Sequence, residues 1–207
     1  MKLFFYLILF ISLNASAQII SKDSVYHLKE VTIGDKKPKK QKIVKVKTKG
    51  EEMGGEIHPG QSKVNCLDVP DGELKTVTMF FNSGLLNIVK GPLNIEYQDT
   101  EFTLLIYDVD AKGNPGKSLI SDDIKFIVKK KHKGGLDIDV SALHLKVSGK
   151  LCVGLRREDK MTKKEPIALK IELNKNAKTF SKTKEITNWS GESGRWVKMR
   201  LKIEVAK

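Results

Sequence analysis

Apolar and polar residues alternate along most of the chain from Ile43 onward, and helical periodicity is nearly absent. The alternation is cleanest from Ile167 to Leu173 and from Val197 to Val205. In a strand, a period of two places all the apolar side chains on one face, whereas a helix needs a period of about 3.6. The alternation therefore predicts an all-β domain.

One segment, Phe102 to Val109, is apolar on both faces over its middle, which is typical of an interior strand. Gly113-Asn114-Pro115-Gly116 follows it and predicts a tight reversal. Similar turn residues divide the other runs at Pro70-Asp71-Gly72, Gly134-Gly135 and Ser190-Gly191. About nine short strands without intervening helices predict a two-sheet antiparallel β-sandwich of the jelly-roll type. A single closed antiparallel sheet is the alternative.

The N-terminus has the three parts of a secretory signal peptide. Lys2 precedes an apolar run, Leu3 to Leu13, and the small residues Ala15-Ser16-Ala17 follow. This pattern predicts a signal peptide over residues 1–17 with cleavage before Gln18. The apolar run is shorter than the roughly 20 residues of a membrane span, and no later run is longer. We therefore expect an exported protein, periplasmic or extracellular, with no transmembrane span in the mature chain.

A lysine-rich stretch separates the signal peptide from the alternating part of the chain. From Lys36 to Lys49 there are eight lysines and no acid. Such a run favours an extended, solvated chain, although it also suits an anchor on anionic lipid. We expect an extended Lys-rich segment over residues 18–41 and the β-sandwich domain over residues 42–207.

The charge of the chain bears on its partners. The formal net charge is +13, and only four of the 38 basic residues are Arg. Recognition of bases and phosphates favours the planar guanidinium of Arg, whereas scattered Lys mainly solvates a surface. The composition therefore argues against specific nucleic-acid binding and favours attraction to an anionic polysaccharide or membrane surface.

The two cysteines, Cys66 and Cys152, leave two interpretations open. Export would place them in an oxidising space, where one disulfide is allowed and would contribute roughly 4 kcal/mol by closing a long loop. Alternatively, they are two unpaired apolar side chains within strands. Neither has a second Cys or a His at ligand spacing, so no metal site is predicted at them.

The loop after the interior strand begins like a calcium loop. Asp108, Asp110 and Asn114 are oxygen donors at suitable spacing, but Lys112 occupies the position of a further ligand. No acidic residue closes the loop. The sequence therefore favours a strand connection, with calcium at these three residues as the alternative, and predicts no metal or other cofactor.

Two tryptophans, Trp189 and Trp196, flank a loop rich in Ser and Gly near the C-terminus. Trp196 is in phase with Arg200 rather than with the apolar face of its strand. Indoles outside the core phase can stack on sugar rings or anchor a partner. We predict Trp189, Trp196 and Arg200 as the ligand-binding residues; the alternative is that the indoles cover one end of the domain.

No catalytic motif is present in the sequence. The four histidines are scattered, no serine lies in a nucleophile turn, and no glycine-rich phosphate loop occurs. We therefore predict a non-catalytic binding or structural module, whose partner is a polysaccharide or an envelope protein. Two alternatives are a carbohydrate-binding module that uses its tryptophans and a hydrolase whose paired acids lie far apart in the chain.

Several segments resemble those of a β-sandwich found in exported proteins of Gram-negative bacteria. They are the GGEI segment at Gly54–Ile57, TVTMFF, FTLLIYDVDAKGNPG and the run from Ile138 to Leu155. In those proteins the sandwich often follows a carboxypeptidase-regulatory-like domain. The resemblance covers Lys42 to Lys207 and implies the sandwich fold, export and a role in the cell envelope. It carries over no catalytic residue.

Overall fold

The computed structural model describes residues 41–81, 86–87, 91–92, 99–129, 132–158 and 167–206. The predicted signal peptide and all but Gln41 of the predicted Lys-rich segment lie outside this part of the chain. The only helical element in the described ranges is a 3-10 turn at Ser141–Leu143. None of the described helices has the length and apolarity that crossing a bilayer requires.

The described residues form thirteen strands, and every strand pair is antiparallel. The all-β antiparallel prediction is thus confirmed. In chain order the strands are β1 Gln41–Lys47, β2 Glu51–Ile57, β3 Ser62–Phe81, β4 Leu86–Asn87, β5 Gly91–Pro92, β6 Thr100–Val109, β7 Pro115–Ser118, β8 Ile124–Val128, β9 Gly134–Asp139, β10 Lys146–Arg157, β11 Ile167–Lys182, β12 Ser190–Val197 and β13 Met199–Ala206.

Hydrogen bonds join eleven of these strands into one open sheet, and β4 pairs only with β5. The main path runs β1-β13-β3-β10-β6-β7. Strand β11 pairs with β2, β3 and β12. Strand β8 pairs with β6, and β9 pairs with β3. The predicted interior strand is β6, which lies between β10 on one side and β7 and β8 on the other.

Strand β3 is 20 residues long and exchanges partners at its middle. On one edge it pairs with β10 up to Glu73 and with β9 from Thr76, and on the other edge with β11 over residues 62–65 and with β13 from Glu73. The turn predicted at Pro70-Asp71-Gly72 is wrong, because the strand continues through these residues. Pro70 has no N–H to donate, and the β10 ladder shifts register between Val147 and Gly149 opposite it. Pro70-Asp71-Gly72 therefore lies close to the point where β3 changes its strand partners, and the chain does not reverse there.

The apolar alternation corresponds to one main core. Val77, Met79 and Phe81 of β3 and the alternating residues of β13 are buried there, as their phase predicts. Leu173 departs from the pattern, because 41% of its surface is exposed. The register of β11 against β12 shifts between Leu173 and Lys178, so the apolar phase is interrupted after Ile171.

A second, smaller cluster lies on the other face of β3, β6, β10 and β11. Val64, Leu105 and Phe180 are buried in it, and three half-buried residues pack against them: Cys66, Tyr107 and Trp189. We call this the side cluster. Alternate residues of β3 therefore face different surroundings: Ser62, Val64 and Cys66 lie on the side-cluster face, and Lys63, Asn65 and Leu67 on the main-core face.

Candidate functional site

A cleft of about 230 Å³ lies beside the side cluster. We call it the Lys182 cleft. Three cationic side chains and no carboxylate line it, together with hydroxyl groups and one aromatic ring; its lining includes Ser62, Tyr107, Arg156, Lys182, Thr183 and Lys184. Its charge and its polar lining make it the strongest candidate in the described residues for binding an anionic group.

The register of three strands assembles this cleft. Ser62 of β3 lies opposite Arg156 of β10 on one side and opposite Lys182 of β11 on the other. Side chains that are directly opposite in neighbouring strands share one face of the sheet and lie close together. Lys182, Ser62 and Arg156 therefore form a row across three neighbouring strands. Phe180, two residues before Lys182 in β11, is buried in the side cluster on the same face.

Aromatic rings hold the Lys182 ammonium. Its Nζ lies 4.4 Å from the ring centroid of Trp189 and 5.9 Å from that of Tyr107. The two rings meet edge to face, with centroids 5.6 Å apart. Burial lowers the pKa of Lys182, and the charge of Arg156 lowers it further. Ring faces attract a cation without neutralising it, so the two rings favour the charged ammonium against these two effects.

Arg156 is differently placed, because carboxylates already contact it. Its guanidinium lies 3.0 Å from Glu158 and 3.4 Å from Asp123. Neither acid belongs to the lining of the cleft. We therefore assign the main attraction for an anion to Lys182, with Arg156 as a partly neutralised second cation.

None of the three predicted ligand-binding residues lines this cleft, and only Trp189 contacts one of its lining residues, Lys182. Trp196 packs against the main core, and its buried indole N–H has no hydrogen-bond partner among the described residues. Arg200 lies on β13, 3.6 Å from Asp137. The structure does not bring Trp189, Trp196 and Arg200 together. Lys182 also covers the Trp189 ring, so that the indole supports a cation rather than presenting a bare face to a sugar.

The sequence interpretation missed Lys182 and Tyr107. Each has the same phase as a side-cluster residue two positions away, Phe180 and Leu105 respectively. That phase was a signal that both face the same side of their strands. The phase within a strand does not show which strands are neighbours, so the contact of Lys182 with Tyr107 could not be predicted from the sequence.

The loop that resembled a calcium site is a hydrogen-bonded turn. Asp110 accepts hydrogen bonds at one oxygen from the backbone N–H groups of Lys112 and Asn114, at 2.9 and 2.8 Å. Asp108 accepts one from the N–H of Lys117 at 2.5 Å. The Asn114 N–H lowers the pKa of Asp110. These carboxylates stabilise the reversal, and no group of three potential metal-ligating acids, His or Cys occurs in the described ranges.

Cys66 and Cys152 form a disulfide in the structure. They are opposite one another on β3 and β10, and Cys152 is in turn opposite Tyr107 of β6. The bridge therefore joins two strands directly beside the Lys182 cleft. Of the two interpretations of the cysteines, the structure contains the bridged one.

A second pocket contains the acids that bear on the hydrolase alternative. Glu56 and Glu192 both line it, but each already has a basic neighbour. Glu56 lies 3.6 Å from His58, and Glu192 lies 3.7 Å from Arg195. Each of the two acids thus has a basic partner of its own.

The chain matches no known protein family, no curated protein and no solved structure.

Proposed function

We propose that the chain is a non-catalytic binding module that holds an anionic group of a polysaccharide in the Lys182 cleft. The observation that carries this proposal is the Lys182 ammonium, which rests on the rings of Trp189 and Tyr107. A carboxylate or sulfate entering the cleft would meet a positioned cation and nearby hydroxyl groups. A charge-assisted hydrogen bond of this kind contributes about 1.5–3 kcal/mol.

The size of the cleft supports an extended ligand. At about 230 Å³ it is smaller than the usual pocket for a drug-sized molecule, about 300–1,000 Å³. It suits one charged residue of a polymer, with the rest of the polymer lying outside. The formal net charge of +13 adds a longer-range attraction for such a polyanion.

The sequence pattern supports the setting in which this binding would occur. The signal peptide predicted over residues 1–17 favours the periplasm or the extracellular space. The resemblance to exported envelope proteins favours the same compartment and a two-sheet packing of the strands. The small share of Arg among the basic residues favours a polysaccharide over a specific nucleic-acid partner.

The proposal is tested by a glycan array that contains carboxylated, sulfated and neutral polysaccharides of matched length. The binding is then measured by titration of the tryptophan fluorescence, because Trp189 contacts Lys182. For Lys182→Met we expect about a tenfold loss of affinity for the anionic glycans, which corresponds to about 1.4 kcal/mol. The matched control is Lys150→Met, which removes the same charge from an exposed position of β10.

Equal binding of neutral and anionic glycans would contradict the proposal. Equal loss in the Lys182→Met and Lys150→Met variants would also contradict it, because such a result indicates a diffuse effect of net charge. Raising the salt concentration should weaken the binding of the wild-type protein, since exposed charges are screened over about 8 Å at physiological ionic strength.

A further inference from the structure

A second pocket, of about 290 Å³, opens at the end of the main-core face of β3. We call it the Lys63 pocket. Its lining combines one amine with two acids, an imidazole, a guanidinium and an apolar side chain: Lys63, Glu56, Glu192, His58, Arg195 and Ile171. This composition differs from that of the Lys182 cleft, whose lining contains no acid.

Lys63 is the most enclosed charged group of this pocket. Only 8% of its surface is exposed, and its strand neighbours are Leu155 and Ser181. Burial lowers the pKa of Lys63; Glu192 opposes this effect, whereas Arg195 adds to it. The uncharged amine, with its free electron pair, is therefore more populated than in an exposed lysine.

Each of the two acids near the Lys63 amine lies beside another basic side chain. Glu192 lies 3.7 Å from Arg195, and Glu56 lies 3.6 Å from His58. A lysine that is desolvated beside another cation is the arrangement that activates this side chain as a nucleophile toward carbonyl carbon. The carboxyl and imidazole groups of the same pocket can carry the protons that such a reaction moves.

We propose that Lys63 is a covalent capture site for small aldehydes, which it binds as an imine within the Lys63 pocket. This site is independent of the binding proposed for the Lys182 cleft, which lies on the opposite face of β3. The two acids in the lining disfavour an anionic ligand, whereas they do not repel an uncharged carbonyl compound. The enclosed position of the amine limits the ligand to a short, unbranched chain.

The reaction balances without an oxidant or a reductant. The Lys63 nitrogen donates its electron pair to the carbonyl carbon, and the carbonyl oxygen takes up a proton to give a carbinolamine. The nitrogen then loses a proton, the carbon–oxygen bond breaks with protonation of the leaving hydroxyl to release water, and a carbon–nitrogen double bond forms as an iminium ion. Loss of the second nitrogen proton gives the imine. One aldehyde and one amine thus give one imine and one water.

The experiment uses propionaldehyde as the probe and sodium cyanoborohydride to trap the imine as a stable secondary amine. Intact mass counts the adducts, and peptide mapping separates Lys63 from the α-amino group and from the other lysines. We expect the first adduct at Lys63. It should be lost in Lys63→Arg, which keeps the charge but has no primary amine, and kept in Lys150→Arg.

A second variant, Arg195→Gln, keeps the amine and tests its activation. Without Arg195, Glu192 is free to pair with Lys63, so the ammonium form is favoured and labelling at Lys63 should slow. A bulky aldehyde, 1-naphthaldehyde, should lose the preference for Lys63. The proposal is overturned if the first adducts are spread over exposed lysines such as Lys150, or if Arg195→Gln labels Lys63 as fast as the wild type.

Discussion

Residues 62–67 of β3 face two sites with different charged groups, because successive residues of a strand point to opposite faces of the sheet. One site contains cations without acids, and the other contains cations and acids together. On the side-cluster face, Lys182 rests on two rings and keeps its charge for a ligand. On the main-core face, burial lowers the pKa of Lys63 and favours its uncharged form, Arg195 adds to this effect, and Glu192 and Glu56 oppose it. Burial lowers the pKa of both lysines, so the two sites differ in their neighbours: aromatic rings contact Lys182, whereas two acids and Arg195 surround Lys63.

Each face also has its own covalent or hydrogen-bonded connection to the rest of the sheet. The Cys66–Cys152 disulfide joins β3 to β10 on the side-cluster face. On the main-core face, the buried Asn65 donates to the carbonyl of Val197 at 2.7 Å and accepts from Thr179 at 2.9 Å. Breaking one connection at a time therefore tests whether the two faces act independently.

The largest effect is expected from the disulfide. Its cysteines are 86 residues apart, and a loop of this size corresponds to a loss of about 4 kcal/mol of unfolding free energy in the Cys66→Ala, Cys152→Ala double variant. Urea unfolding monitors this loss. The variant should bind anionic glycans more weakly and still label Lys63, since only the side-cluster face is disturbed.

The control for this prediction is the wild-type protein in reductant, which retains both sulfur atoms and lacks only the bond. If reduced and oxidised proteins unfold at the same urea concentration, the bridge contributes no stability. The two faces would then differ in ligand chemistry alone.

The second effect is expected at Asn65 on the main-core face. In Asn65→Ala the backbone N–H and carbonyl of Val197 lose their side-chain partner in a buried site, whereas the Thr179 hydroxyl can still donate to the Arg195 carbonyl at 2.8 Å. Unsatisfied buried groups of this kind cost about 3 kcal/mol of unfolding free energy. Lys63 labelling should become less selective, because the attachment of β12, which holds Glu192 and Arg195, is weakened.

A matched control for Asn65 is Asn174→Ala. Asn174 also donates to a backbone carbonyl, that of Lys49 at 2.8 Å, but at an exposed position. Water replaces an exposed partner, so we expect a loss below about 1 kcal/mol in the same urea experiment. A loss as large as that of Asn65→Ala would contradict the role given to burial.

The smallest effect separates the two tryptophans. Trp189→Ala removes the closer of the two rings under Lys182 and should weaken binding of an anionic glycan about fivefold, corresponding to a cation–π contribution of about 1 kcal/mol. Trp196→Ala should lower the thermal midpoint through lost core contacts and leave the glycan affinity unchanged. Calorimetric titration measures the affinity, and loss of affinity in the Trp196 variant instead would reverse the assignment.

Much of the fold could be predicted from the sequence, because a strand that buries one face has an apolar residue at every second position. The alternation in β3 and β13 identified core residues such as Met79 and Met199, which the structure buries. Of the candidate site, only Trp189, which contacts Lys182, was predicted from the sequence. Register was the missing information: the β11–β3 ladder shifts between Leu169 and Thr179, after which Lys182 lies opposite Ser62, and no local sequence pattern predicts this shift.

The exchange of partners along β3 has a consequence for how the chain reaches its native state. The strand pairs with segments that follow it by very different distances, β9 and β10 in the middle of the chain and β13 near its end. Such distant pairings are costly in loop entropy before they give any stabilisation, which slows folding. The last residues of the chain, in β13, must therefore be available before the backbone hydrogen bonds of β3 can form along both of its edges.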